Sequence, residues 1–347
     1  MLRFALRTLV VAGLACTVLG CGGGDGGPRG GLASAGASGG GSGSGPELDP
    51  TSRPSLRTVA YLPTYHGSLS TWTRQLRFAN VSYVNISFAD IDQAGNVSVS
   101  DAGLAGFVAS AHAAGAKVCV AMGGATTIDT GGVFATLLQD ANRPAFIDNL
   151  VLFAKNNSLD CLDVDLEGHG VNAFYEAFVT ELSARLKADG RELTAAVAGW
   201  FADGISDKAM LSFDFINVMA YDLYSSITTP AQPASIEEAT KQVELWVARG
   251  MPKERVLYGV PFYGLQWPTA GGQPKQITYA DLIRSDPTAA TQDELQANGT
   301  VTYLNSRSTI QAKAQLAKTY GGIMVWEAGQ DATGDASLLQ AIRDAVP

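Results

Sequence analysis

The sequence predicts an α/β protein folded as a (β/α)8 barrel. Three observations predict it. Eight short runs rich in apolar and β-branched residues read as parallel strands buried on both faces. Helical patterns that stop at glycine fall between most of them. Together these segments occupy about 290 of the 347 residues, enough for one barrel with modest insertions. A doubly wound dinucleotide-binding sheet would place a Gly-rich turn after its first strand, and Tyr61-Leu62-Pro63-Thr64-Tyr65 offers none.

The strands are expected at Thr58–Pro63, Val81–Phe88, Lys117–Met122, Leu159–Leu166, Glu192–Ala198, Phe213–Ala220, Arg255–Pro261 and Gly322–Trp326. Between them, Ala102–Ala114 has apolar residues at helical spacing and stops at Gly115. Asn142–Lys155 and Val171–Ala188 behave alike, the second stopping at Gly190. Ser235–Ala248 stops at Gly250, Thr309–Thr319 stops before Gly321-Gly322, and Ala336–Val346 closes the chain. No repeat of 20–50 residues is visible.

The barrel is expected to begin at residue 56. Arg3 and Arg7 followed by the apolar stretch Leu9–Leu19 read as an export signal over residues 1–20, too short to span a bilayer as a mature helix. Val18-Leu19-Gly20-Cys21 resembles a bacterial lipoprotein signal, which implies cleavage before Cys21 and lipidation of its thiol. Residues 22–46 are nearly all Gly, Ser and Ala, and residues 21–55 are read as the lipidated Cys and a flexible tether; 25 residues of this kind reach about 28 Å. The expected location is the cell envelope, at an outer membrane or cell surface, or secreted. Gly22 after Cys21, where an Asp would signal inner-membrane retention, favours an outer membrane in a Gram-negative cell.

Composition narrows the function. Forty-six percent hydrophobic and 16% charged residues support a large core and exclude global disorder. The net charge is −9, and −11 once Arg3 and Arg7 are removed, which excludes nucleic acid as a partner. Cys119 and Cys161 are the cysteines left in the barrel, so neither a disulfide scaffold nor a zinc ligand set is present. No metal or cofactor is called for.

Asp163-Val164-Asp165-Leu166-Glu167 is the sharpest local signal. With a side-chain period of two, the three acids face one side of the strand and Val164 and Leu166 the other. Acids turned inward in a barrel are costly unless they work or are paired. At roughly 6–7 Å spacing they should share protons and raise one another's pKa, keeping a proton available for a general acid. Asp163-x-Asp165-x-Glu167-Gly168 begins like a calcium loop, but its twelfth position is Phe174, so that reading fails.

The run Asp160-Cys-Leu-Asp-Val-Asp-Leu-Glu167 resembles the DxxDxDxE signature of glycoside hydrolase family 18, the chitinases and their relatives. Lys117–Gly124, Asn217-Val-Met-Ala-Tyr-Asp222, Tyr258–Gly264 and Gly321–Glu327 resemble that family's third, sixth, seventh and eighth strands, in the same order, across Arg57 to Pro347. The resemblance implies a retaining, substrate-assisted hydrolase, in which the substrate's 2-acetamido oxygen attacks the anomeric carbon. Glu167 would be general acid and then base. Asp165 would orient the acetamido group, Asp163 would tune Asp165 by sharing a proton, and Tyr221 would hydrogen-bond the acetamido oxygen. Asp222 would be a polar substrate contact, Met219 would line the acetamido pocket and Trp326 would be the floor under the reacting sugar. Tyr65, Phe88, Trp200, Phe201, Tyr263 and Trp267 are candidate platforms for further sugars; Trp72 and Trp246 receive no role.

Three departures from the pattern bear on rate and preference: Cys161 stands for the usual Gly, Ala121 for a Ser whose hydroxyl bonds the acidic cluster, and Leu166 for a frequent Trp. Cys119 and Cys161 share the inward parity of adjacent strands and are expected as two buried apolar thiols rather than a bridge. Only 56 residues separate Gly264 from Gly321. A short or absent insertion is therefore expected there, with room for a helix, a loop and a hairpin of Gln276–Ile277 with Val301–Tyr303, giving an open cleft and endo-type action. The reading is of a monomer cleaving β-1,4-linked N-acetylglucosamine polymers or oligomers such as chitin. The alternatives are an endo-β-N-acetylglucosaminidase acting on N-glycan cores, a peptidoglycan hydrolase, or a non-catalytic chitin-binding lectin. The last is disfavoured because Glu167, Asp165 and Tyr221 are all present.

Overall fold

The computed structural model describes residues 56–225 and 228–347. The expected export signal over residues 1–20, the expected lipidation of Cys21 and the expected tether to residue 55 lie outside the described residues.

Eight parallel strands close a barrel: Thr58–Pro63, Tyr83–Ser87, Lys117–Gly124, Cys161–Leu166, Glu192–Val197, Phe215–Val218, Val256–Pro261 and Gly322–Trp326. They are taken below as the first to eighth strands. Each pairs with its sequence neighbour in the barrel, and the first pairs with the eighth. All eight expected strands are present. Helices Leu104–Ala113, Arg143–Asn156, Tyr175–Ala188, Ile236–Ala248, Arg307–Ala317 and Leu338–Ala345 match the six expected ones within a few residues. The third starts four residues late because the Asn172 side chain accepts the Phe174 N–H at 2.9 Å, an Asx turn that competes with helix. The short helices Leu69–Gln75, Phe134–Leu137, Asp207–Ser212 and Tyr279–Ser285 lacked a readable periodicity.

Alternation sorts the strand side chains into two cores. In the fourth strand Leu162, Val164 and Leu166 face outward, with Val118, Val120, Phe146 and Phe178, into the large layer between barrel and helices. Inside the barrel a second cluster contains Val59, Tyr61, Tyr83, Cys119, Cys161, Phe215, Leu257 and Met324. This inside–outside sorting puts the acids of the fourth strand in the barrel interior.

Two expectations need correction. Between the seventh and eighth strands the chain builds more than a hairpin. Tyr263–Pro268, Lys275–Thr278, Glu294–Ala297 and Thr300–Tyr303 form a four-stranded antiparallel sheet, with helix Tyr279–Ser285 beside it. Tyr263–Pro268 is the central partner. It pairs with Lys275–Thr278 on one side and Thr300–Tyr303 on the other, so the two expected hairpin segments do not pair with each other. The seventh strand is followed at once by this sheet, with Phe262 alone between Val256–Pro261 and Tyr263–Pro268. The second correction concerns Cys119 and Cys161. They are register partners on the third and fourth strands, their Cα atoms are 4.6 Å apart, and they form a disulfide. Parallel neighbours with the same inward parity fall within bridging distance, which the free-thiol reading undervalued.

The bridge links residues 42 apart in sequence. Replacing both cysteines by alanine should cost roughly 2–4 kcal/mol in urea unfolding, from the freedom returned to the unfolded chain. Equal stability of the variant and the oxidised parent, together with two titratable thiols in the parent, would show that the bridge does not form.

Candidate active site

The acidic run expected at the site lies at the C-terminal end of the fourth strand. On the fourth strand Asp163 and Asp165 are buried inside the barrel, and Glu167 sits at the rim, just past the strand's end. The third strand makes room for them. Gly123 lies opposite Asp165 with φ +111°, and a side chain there would collide with the Asp165 carbonyl. The Glu167 N–H donates to Thr127 Oγ1 at 2.8 Å, and that hydroxyl donates to the Gly124 carbonyl at 2.9 Å, so the loop after the third strand fixes the rim position of Glu167.

Asp163 is fully enclosed. Its Oδ2 accepts from the Tyr61 hydroxyl at 2.6 Å, and its Oδ1 from Thr194 Oγ1 at 2.5 Å and Asn217 Nδ2 at 3.2 Å. Burial raises its pKa to about 6, against the pull of those three donors and of Asn85 on the second strand. Asp165 is equally buried, yet among the described residues its Oδ1 has no hydrogen-bond partner. Burial first, then the charges of Glu167 and Asp163, hold Asp165 well above the usual carboxylate range. Glu167 is raised to about 7, by burial and then by the charge of Asp222. Proton retention is thus as expected for the run, but desolvation is its first cause and like-charge repulsion the second.

The sixth strand and the loop after it bring Met219, Tyr221 and Asp222 to the same mouth. Met219 is half-buried and packs against both cores. The buried Tyr221 hydroxyl contacts the Met324 sulfur at 3.9 Å. Asp222 adopts φ +58°, a backbone conformation uncommon for a residue with a side chain and frequent at functional sites. The Tyr263 hydroxyl holds it, donating to Asp222 Oδ1 at 2.6 Å. Asp222 keeps solvent access at the mouth, and desolvation by the surrounding protein raises its pKa against that bond. Trp326, at the end of the eighth strand, is half-buried with its ring 5.7 Å from Tyr61 and 6.2 Å from Phe88.

The candidate platforms separate into two groups. Tyr65 and Trp200 are 64% and 61% exposed, at the ends of the first and fifth strands, and Phe88 is half-buried beside Trp326. These three offer ring surface. Tyr263, Phe201 and Trp267 do not. Tyr263 is 3% exposed and stands edge-on to Tyr221, Phe201 lies in the outer core, and Trp267 is wholly buried in the insertion sheet against Tyr303. Position at a strand end identified all six, but it does not say which way a ring turns.

Sequence reasoning missed Tyr61, Thr194, Asn217 and Glu327. The first three share the inward parity of their strands, and counting alternation on the first, fifth and sixth strands would have found them. Glu327 follows Trp326. Its Oε2 accepts the Gly329 N–H at 2.8 Å, its buried Oε1 lies 3.9 Å from His66 Nε2, and burial raises its pKa to about 7. No pattern marked it. Among the described residues no group of three or more His, Cys, Asp or Glu side chains is arranged to hold a metal ion.

Such a site can hold protons near neutral pH, present the ring of Trp326 and offer an unpaired buried carboxyl oxygen, at Asp165, to a polar group of a bound molecule. Comparison with known proteins agrees. The family described as Glycosyl hydrolases family 18 matches residues 57–331. A family 18 chitinase from the chitin utilization locus of Flavobacterium johnsoniae is 32% identical, with a TM-score of 0.75 over 84% of this chain and 94% of that one. A probable endochitinase of Caenorhabditis elegans is 30% identical over 211 residues, 50% of this chain and 34% of that protein. The chain spans 34–57% of the length of the first curated relatives it matches. Human YKL-39, described as a pseudo-chitinase with retained chitooligosaccharide binding, is 20% identical with a TM-score of 0.71 over 84% of this chain and 99% of that one; at that identity it shares the fold.

The raised carboxyl pKa values have a consequence for stability. A folded-state pKa above the unfolded value gives stability that is complete below the unfolded pKa and is lost as pH rises through the folded one. For Asp163, Glu167 and Glu327 that window runs from about pH 4 to about pH 7. Surface acids such as Glu244, held low by Tyr320 and Lys253, act in the opposite sense but are screened by solvent. Urea unfolding should therefore show lower stability at pH 8 than at pH 5. Glu327→Gln should remove about 2–3 kcal/mol of that difference. An unchanged difference in the variant would contradict the burial of an ionisable Glu327.

Proposed function

The chain belongs to glycosyl hydrolases family 18, a chitinase-like glycoside hydrolase family, and from that membership we propose that it cleaves β-1,4-linked N-acetylglucosamine polymers or oligomers, chitin first among them, with retention and by substrate assistance. The observation that carries the proposal is the buried, unpaired Oδ1 of Asp165, set between an enclosed Asp163 and a rim Glu167. A sugar 2-acetamido N–H supplies the donor this oxygen lacks.

The steps follow. With the reacting sugar on Trp326, the Glu167 carboxyl gives its proton to the glycosidic oxygen as the bond from that oxygen to the anomeric carbon breaks. A lone pair of the acetamido oxygen, steered by the Tyr221 hydroxyl, forms a new bond to the anomeric carbon. The resulting oxazolinium carries its positive charge beside Asp165, which holds the nitrogen. Met219 lines the pocket around the acetamido methyl group, and Asp222 contacts the sugar. Water then loses a proton to the Glu167 carboxylate and attacks the anomeric carbon, which releases the acetamido oxygen and leaves the original configuration. The exposed rings of Tyr65 and Trp200 support sugars further along an open cleft, and Phe88 flanks the floor. The action is taken as endo, by a monomer, on a protein exported and held at the envelope through lipid on Cys21.

The test is product analysis of the purified protein on chitooligosaccharides, high-mannose glycoprotein and peptidoglycan. Chitooligosaccharide cleavage is expected. Release from glycoprotein alone would reassign the chain as an endo-β-N-acetylglucosaminidase, release from peptidoglycan alone would make it a wall hydrolase, and binding without cleavage would make it a lectin. Glu167→Gln should lower kcat by roughly 10²–10⁴-fold while oligomer binding survives. Undiminished turnover would show that another group is the acid.

A further inference from the structure

Lys313 lies on helix Arg307–Ala317 and is wholly buried. Burial pulls its pKa down to about 7, against the charge of Asp293. A buried ammonium is costly, and an apolar side chain of similar length would fill the same space without that cost. What the lysine adds is donors. Its Nζ donates to the Ala234 carbonyl at 2.6 Å and to Asn305 Oδ1 at 2.7 Å. Asn305, also buried, donates from Nδ2 to the same Ala234 carbonyl at 3.1 Å and to the Leu304 carbonyl at 3.2 Å. Two side chains from the stretch between the insertion sheet and the eighth strand therefore close on one backbone oxygen.

That oxygen lies where the chain returns from the mouth of the barrel. The segment after the sixth strand leaves the site at Asp222 and comes back at Pro233, and the Leu223 N–H donates to the Pro233 carbonyl at 3.2 Å. Gln232 Nε2 donates to the Leu304 carbonyl at 2.8 Å, and its Oε1 accepts the Ala234 N–H at 3.2 Å. Ala234 itself belongs to the inner core that contains Tyr221 and Tyr263. Asp222 is thus held from two directions. Tyr263 holds its carboxylate, and one residue on, a backbone bond ties it to the stretch that Lys313 grips.

We propose that Lys313, with Asn305, is a positioning residue for the active site: the pair grips Ala234 and, through Pro233 and Leu223, fixes Asp222 beside Glu167. Both act through Asp222, whose charge lifts Glu167. The proposal rests on the function given above only where it assigns Asp222 and Glu167 to catalysis. Among the described residues, the titratable groups that face Lys313 are Tyr258 of the seventh strand, its ring 5.9 Å from Nζ, and Asp293 of the insertion. The Asp293 carboxylate is itself taken, by the Ser306 N–H at 2.6 Å and by Thr309 Oγ1 at 2.5 Å.

The test compares the full chain with Lys313→Met and Asn305→Ala, using two readouts that need no substrate. Amide hydrogen exchange at Leu223 should quicken about tenfold in Lys313→Met, while amides of the barrel strands keep their protection. The Glu167 carboxyl, followed by carbon-13 NMR, should titrate about half a pH unit lower than in the parent, because Asp222 is no longer held beside it. Asn305→Ala leaves the lysine its bond to Ala234, so it should show both changes to a smaller degree; it decides the matter should Lys313→Met not fold. In chitooligosaccharide hydrolysis the basic limb of kcat should move down in pH with the Glu167 midpoint. A Glu167 midpoint that stays in place in the folded variants would overturn the proposal. Faster exchange spread evenly over the barrel would overturn it too, since that marks a residue that only adds stability. Absent turnover in the parent would count against the proposed function alone, and both readouts would still stand.

Discussion

Everything at the mouth of this barrel follows from enclosing the carboxyls of one strand. Strand alternation leaves no choice: once Leu162, Val164 and Leu166 face the helices, Asp163 and Asp165 face the interior. An isolated ionised carboxylate in such a place is strongly disfavoured. The surrounding residues answer that cost in two ways. Asp163 is given donors from three strands, and Asp165 and Glu167 keep protons that exposed acids would lose.

The neighbouring elements serve that arrangement. Gly123 on the third strand admits the backbone of Asp165, and Thr127 ties the backbone of Glu167 to the following loop. Asp222, held in its unusual backbone conformation by Tyr263, adds the charge that lifts Glu167 further. The insertion between the seventh and eighth strands is therefore joined to the electrostatics of the site. Tyr263 opens its sheet, and the hydroxyl of that residue fixes Asp222.

The barrel was legible in the sequence because parallel strands buried on both faces are continuous apolar runs, and glycines such as Gly115, Gly190 and Gly250 end the helices between them with positive φ. The acid run was legible because a period of two separates Asp163 and Asp165 from Val164 and Leu166. What escaped notice depends on three dimensions. Thr194 and Asn217 are isolated polar residues between apolar neighbours on their strands, and only the closure of the barrel brings them to Asp163. Tyr263 and Trp267 read as open platforms until the insertion sheet buried them. The bridge between Cys119 and Cys161 turned on strand register, which the sequence constrains only to within neighbouring strands. Glu327 carried no pattern, since its burial comes from packing at the end of the eighth strand.

The central claim is that burial in the barrel mouth, with Asp222 beside it, holds a proton on Glu167 near neutral pH. A carbon-13 NMR titration of the Glu167 carboxyl, assigned by its loss in Glu167→Gln, tests this without reference to any substrate. The account predicts a midpoint near pH 7. A midpoint at the ordinary value of 4.5 would contradict it.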